Sequence, residues 1–278
     1  MRNRDLYVSV KQMLKLAHIE SPGFEANVIF EEVLGKMWML NVNLTKKQAM
    51  AIYSMAKRRV IREPLQYIIG NWFFCGLNFF VGPGVLVPRP ETETLVEVAL
   101  KIIETKERPV VFDLCSGSGC IGISVAMARP DAIVYLVEKS KEAFEYLKKN
   151  CEVYKLENAN SLNQDIFDLL PDVEIDLIVA NPPYVKTAEI GNLQKEVLFE
   201  PRIALDGGVH GLDFYPKIAK HFKGYLKPRG TLALEVGFGQ MEAVLNILGE
   251  ADFKTAIEKD LNGIERVAIG QLDDLWRN

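Results

Sequence analysis

Apolar positions along the chain change their period twice. Near the amino terminus Leu6, Val10, Met13, Leu14 and Ala17 recur at helical spacing and form one stripe. Ser21-Pro22 offers a capping side chain with proline in the first turn, so a second helix is predicted to start there. Its inner face is Ala26, Ile29, Phe30, Val33 and Leu34, and Gly35 can end it. Thr45 with Gln48 three residues on spells a capping box. Ala49, Ile52, Tyr53, Ala56 and Val60 continue the stripe until Glu63-Pro64 stops it. Residues 1–64 are therefore expected to form a small all-helical domain. The run Lys57-Arg58-Arg59, with Arg62, suits an acidic partner and equally a solvated face.

From Leu65 the pattern turns aromatic and β-branched. Gln66-Tyr67-Ile68-Ile69, Asn71-Trp72-Phe73-Phe74 and Asn78-Phe79-Phe80-Val81 are punctuated by Gly70, Gly76 and Gly82, which predicts a β-hairpin linker over 65–88. Val85-Leu86-Val87-Pro88-Arg89-Pro90 is extended, because residues before proline avoid the helical region. Glu91-Thr92-Glu93 then opens a helix carrying Leu95, Val96, Val98, Ala99, Leu100, Ile102 and Ile103, its carboxylates at the positive end. Strand-like runs follow at 110–114, 132–137, 160–163, 175–180 and 232–236, with two more near 253–258 and 264–269. Helical patterns alternate with them, the last two at Tyr215–Tyr225 and Gln240–Leu248. The alternation predicts an α/β domain over 89–278, with a mostly parallel sheet and helices on both faces.

Composition narrows the function. At 278 residues, 49% hydrophobic and 25% charged, the chain is ordinary for a soluble globular protein. A net charge of −4 disfavours wholesale binding to a phosphate backbone, so no direct nucleic-acid partner is expected. No apolar run approaches the roughly 18–20 residues that span a bilayer, and Met1-Arg2-Asn3-Arg4-Asp5 does not lead into a signal-peptide core. The four cysteines (Cys75, Cys115, Cys120, Cys151) make no CxxC pair, and no histidines stand at zinc spacing. No metal is expected, and the thiols read as reduced, buried small hydrophobes of a cytoplasmic protein.

Candidate chemistry centres on Asn181-Pro182-Pro183-Tyr184, directly after the buried run Ile175–Ala180. Two prolines forbid continuation of the ladder, so the chain leaves the sheet in a rigid turn at a strand's carboxyl end, where ligands bind in open α/β sheets. Carbonyls without competing donors, an asparagine amide and a tyrosine face suit a planar –NH₂ group; the bland alternative is a proline-stiffened surface turn. A second signal is Cys115-Ser116-Gly117-Ser118-Gly119 after the strand Val110–Leu114, with Gly122 completing GxGxxG. Glu138 ends the following strand, where a carboxylate takes ribose hydroxyls. To this point NAD and S-adenosylmethionine (SAM) fit equally. Asp113, just before the loop, would repel a pyrophosphate and suit a cationic amino group, and the proline turn has no role in hydride transfer. Both favour SAM. Asp165 is placed to accept from the adenine amino group, with Ile166 or Phe167 on the ring; a helix or turn cap is the plainer role for Asp165. His18, His210 and His221 sit in unremarkable contexts.

Five stretches occur in one order: Pro64–Gly70, Val87–Glu93, Asp113–Gly119, Asn181–Tyr184 and Glu200–Leu205. Together they resemble the PrmC/HemK family, the SAM-dependent methyltransferases that modify a glutamine side chain in peptide chain release factors. The resemblance implies a class I Rossmann-like methyltransferase domain with a seven-stranded sheet, behind a helical release-factor-binding domain. It implies that Cys115 to Gly119 form the SAM loop, Glu138 holds the ribose, Ile166 flanks the adenine, and Asn181, Pro182, Pro183 and Tyr184 bind the target amide, with Asn181, Pro182 and Tyr184 catalytic. Arg89, Glu91 and Thr92 are candidate contacts to cofactor or site loop, Arg89 to a ligand carboxylate. The partner implied is a class-1 release factor through its Gly-Gly-Gln loop, and a monomer is expected. The family usually carries glycine in place of Cys115, aspartate in place of Glu138 and often tryptophan in place of Ile166. Rival readings are an adenine-amino methyltransferase of DNA or RNA, a non-catalytic SAM-binding regulator and a dehydrogenase.

Overall fold

A computed structural model describes residues 2–35 and 42–273. The chain divides into two compact units, Met1–Asn71 with Gln194–Phe199, and Trp72–Leu193 with Glu200–Asn278. In the first, α1 (Asn3–Leu16), α2 (Pro22–Leu34) and α3 (Lys46–Val60) turn most of the predicted stripes inward, with Val10, Leu14, Ile29, Phe30 and Ile52 wholly enclosed, while Tyr53 of the third stripe is exposed. Both halves of the Thr45–Gln48 capping box form. The arginines of the basic run turn inward. Arg59 is buried between Glu25 and Glu196, Arg62 also reaches Glu196, and Arg58 pairs with Glu63. The positive charge expected for an acidic partner is thus largely neutralised within the unit.

Leu65–Ile69 is a short helix, α4, where the aromatic pattern predicts extended chain. Leu65, Tyr67 and Ile68 are buried, and Gly70, left-handed at φ 83°, ends the turn. Burial of three side chains on one turn overrides their β propensity. The hairpin itself is shorter than expected: β1 (Asn71–Phe74) and β2 (Leu77–Phe80) join through Cys75 and Gly76, both at positive φ.

In the second unit, α5 (Glu93–Ile103) precedes a seven-stranded sheet. Its strands are β3 (Val110–Leu114), β4 (Ile133–Glu138), β5 (Ala159–Asn163), β6 (Ile175–Ala180), β7 (Leu226–Glu235), β8 (Lys254–Lys259) and β9 (Glu265–Gln271). Their spatial order is β5-β4-β3-β6-β7-β9-β8, with β9 antiparallel to both its neighbours and every other pairing parallel. Helices α6 (Cys120–Ala128), α7 (Lys141–Tyr154), α8 (Phe214–Phe222) and α9 (Met241–Glu250) complete the alternation. Side-chain alternation divides the core in two. Phe112, Leu114, Ile178, Ala180, Leu232 and Leu234 pack with α8 and α9, whereas Val111, Leu177, Val179 and Ala233 pack with α5 and α6. The chain reverses direction across the sheet between β3 and β6, so their carboxyl ends border the crevice where such sheets bind ligands. Among the described residues no helix is long and apolar enough to cross a membrane.

Candidate active site

The turn after β3 is held open by backbone bonds. Ser116 N–H donates to the Val137 carbonyl at 3.1 Å, and the Ser116 hydroxyl to the Asp113 carbonyl at 2.7 Å. Gly117 and Gly119 lie at positive φ, and so does Cys115, at 58°. A non-glycine residue there carries local strain, which gives a physical reason for the glycine usual in the resembling family. At Gly122 an added Cβ would sit 2.9 Å from Asp113 Oδ2, so the bare backbone lets α6 close onto the sheet. Asp113 itself is fully buried behind the loop. Its Oδ2 accepts the Gly122 N–H at 2.9 Å, and its Oδ1 has no partner among the described residues. Burial pushes its carboxyl up to about 7. It braces the loop from behind and is not part of the cavity wall, so it does not face a bound amino group as its position before the loop suggests.

Glu138 ends β4 with one oxygen taking the Gly117 N–H at 2.8 Å and the other the Ser140 N–H at 2.7 Å. Each oxygen keeps a further lone pair for a hydroxyl. Burial raises its carboxyl, against these backbone bonds. The Asp165 carboxyl is lowered: burial opposes this, but Lys139 at 2.7 Å and the Phe167 N–H at 3.0 Å outweigh it. The Phe167 bond is the turn cap of the plainer reading, and it coexists with a place at the cavity edge.

A cavity of about 390 Å³ lies over these strand ends. Cys115, Ser116, Gly117, Ser118, Glu138, Asp165, Ile166, Asn181, Pro183, Arg89 and Thr92 line it, so most of the candidate residues converge on one space. Gly119, Pro182, Tyr184 and Glu91 are not in its wall. Tyr184 is largely buried, its ring against the core on the α8 and α9 side, and burial pushes its phenol up to about 12. Its carbonyl accepts from Gln240 Nε2 at 2.9 Å. Arg89 has a carboxylate partner within the chain: Glu200, whose other oxygen takes the Val87 N–H at 3.0 Å.

The stretch after Phe199 is pinned to the proline turn. Val185 N–H donates to Leu205 O and Gly207 N–H to Val185 O, each at 2.8 Å. A Cβ on Gly207 would lie 2.6 Å from the Pro183 carbonyl oxygen. Pro201, Ile203 and Ala204 thereby reach the cavity wall, joined by Val85, Val87, Phe214 and Lys217. Single-sequence reasoning expects a loop over the site at 198–208, which takes in Pro201, Ile203 and Ala204, but names none of the other four. Phe214 and Lys217 lie on α8, whose apolar period announces only core packing, while Val85 and Val87 look like plain extended chain. None of the three histidines stands in the cavity wall; His221 bonds the Leu169 carbonyl at 2.8 Å, its ring against Phe222 and Tyr225.

A family model described as Methyltransferase small domain matches residues 91–208, and another, the PrmC N-terminal domain, matches residues 5–70. The release factor glutamine methyltransferase of Thermodesulfovibrio yellowstonii is 41% identical over 242 residues, 85% of this chain and 86% of that protein. The protein of the same description from Geobacter sulfurreducens is 42% identical over 231 residues, 82% and 80% of the two chains. Among solved structures, a methyltransferase from Pyrococcus furiosus superposes with a TM-score of 0.53 at 18% identity, over 83% of this chain and 100% of that one, a likeness of fold alone.

Proposed function

The chain belongs to the release factor glutamine methyltransferase family, and from that premise we propose that it methylates the side-chain amide nitrogen of the glutamine in the Gly-Gly-Gln loop of class-1 release factors, using SAM. The observation that carries this reading is the shared cavity: Asn181 and Pro183 of the proline turn stand in the same wall as Gly117 and Glu138. A methyl donor and an acceptor amide can therefore meet there.

The residues present suit SAM. Glu138 is placed for the ribose hydroxyls, the Ser116–Ser118 backbone for the amino-acid end, Asp165 for the adenine amino group and Ile166 for the ring face. When bound, SAM supplies a methyl carbon made electrophilic by its sulfonium. The protein's task is to present a poor nucleophile, because an amide lone pair is delocalised into its carbonyl. The Asn181 side-chain oxygen, in the cavity wall, accepts one amide hydrogen and fixes the nitrogen; the second is assigned to the Pro182 carbonyl by the family resemblance, although Pro182 lies outside that wall, and Tyr184 closes the turn behind it. The amide proton becomes acidic only after transfer, so no base is needed beforehand. Orientation of this kind supplies at most roughly 7–11 kcal/mol. The helical unit receives the release factor, and the enzyme works as a cytoplasmic monomer.

Mass spectrometry of release factors incubated with the enzyme and SAM tests the proposal. One added methyl on the Gly-Gly-Gln glutamine is the expected result. A methyl elsewhere, or none, overturns it.

A further inference from the structure

The mechanism above needs the Asn181 side-chain oxygen, and not its nitrogen, to face the cavity, and nothing in an isolated Asn-Pro-Pro-Tyr turn decides that. The sheet does. Residues Val179 and Ala180 pair with Ala233 and Leu234, so continuing the register sets Asn181 beside Glu235 at the end of β7. Glu235 is buried on the α5 side of the sheet, and its backbone carbonyl is held by the Tyr215 hydroxyl at 3.0 Å. Burial raises its carboxyl to about 7, and the neighbouring side chains of Thr92 and Asn181 oppose the rise. Thr92, 2% exposed at the head of α5, accepts from Asn181 Nδ2 at 3.3 Å. Once ionised, above about pH 7, this carboxylate only accepts and so favours donors on the groups around it. One Nδ2 hydrogen is donated to Thr92 Oγ1, and the register leaves Glu235 as the neighbouring acceptor for the other. Reversing the amide would turn its oxygen towards the ionised Glu235, whose Oε2 has no partner among the described residues.

Building on the proposed function, we infer that Glu235, with Thr92 as its relay, is a positioning residue that locks the Asn181 carboxamide with its oxygen towards the substrate nitrogen. Glu235 touches neither substrate nor cofactor; it acts through Asn181.

The test compares wild type, Glu235→Gln and Thr92→Val, each also combined with Asn181→Ala, with SAM affinity as a check on the fold. Each single change is expected to lower kcat for release-factor methylation by roughly tenfold or more while KM for SAM stays within about twofold. Neither should lower kcat further once Asn181 is alanine. Unchanged kcat, or full additivity with Asn181→Ala, overturns the inference. A readout independent of turnover is the side-chain amide NMR signal of Asn181. In wild type its two protons should be shifted and protected from exchange, and in both variants released. If wild type fails to methylate release factors, the functional reading falls, whereas unaltered Asn181 amide signals in both variants sink the positioning role alone.

Discussion

Asn181 is where most of the proposed rate enhancement concentrates, since its oxygen would orient the acceptor nitrogen without touching the donor's adenosine. Asn181→Ala is expected to cut kcat by roughly 10²–10³, the scale for losing one group that acts in the transition state. Calorimetry should find SAM affinity nearly intact, and equal losses in both would contradict the assignment. Glu138 should behave in the opposite way. Its carboxylate bonds two loop N–H groups and offers its remaining lone pairs outward. Glu138→Gln leaves one acceptor oxygen for the two N–H groups and sets an –NH₂ against the other, a loss of about 1–3 kcal/mol, so SAM binding should weaken by roughly tenfold or more. Saturating SAM should restore kcat to near the wild-type value.

Among the elements, the segment after β6 depends on backbone contact more than on side chains. Gly207 presses on the Pro183 carbonyl, and an alanine there must move one strand of the turn or the other. Gly207→Ala is expected to lower stability by about 1–3 kcal/mol, as overpacking does, and to lower kcat because Pro182 and Asn181 shift with the turn. Denaturant titration alongside kinetics would measure both, and wild-type kcat in a destabilised variant would separate the turn from catalysis. In the helical unit the Thr45–Gln48 capping box closes the start of α3. Thr45→Ala should cost about 1 kcal/mol of stability in the same titration, with kcat on release factors unchanged at saturation.

Across the whole molecule, two buried carboxyls oppose the usual pH behaviour of stability. Burial raises Asp113 from 3.8 to about 7, and Glu235 from 4.5 to about 7 against hydrogen bonds from Thr92 and Asn181. The folded state therefore holds protons that the unfolded state releases, and their contribution is lost as pH rises from about 4 to about 7. Asp176 works in the other direction: burial raises it, but Lys227 and the Val110 N–H pull its carboxyl below 3.8, so its contribution is lost only as pH falls beneath that. The melting temperature should accordingly peak in mildly acidic buffer and decline towards pH 8. Asp113→Asn should flatten that decline, and an unchanged slope in the variant would rule Asp113 out as a source.

Local pattern is enough to determine much of this protein, because each signal involves residues near one another in the chain. The 3.6-residue stripes of α1 to α3, the capping box, the runs of β3 and β6, the glycine loop and the proline stop after Ala180 all act within a turn or two, so their composition announces them. Glu138 is legible because the distance from the loop to the next strand end is set by one helix and one strand. Tertiary structure decides whatever depends on pairing between distant segments. Tyr67 and Ile68 become helical because a core is there to bury them, and Arg89 finds Glu200 because the later loop folds back. Asp113 turns behind its loop because Gly122 leaves room for it. Glu235 is the plainest case: it ends an ordinary apolar strand, and only the register of β6 against β7 sets it beside Asn181. Hydrogen-bond register across a parallel sheet is a long-range property, and no window of sequence contains it.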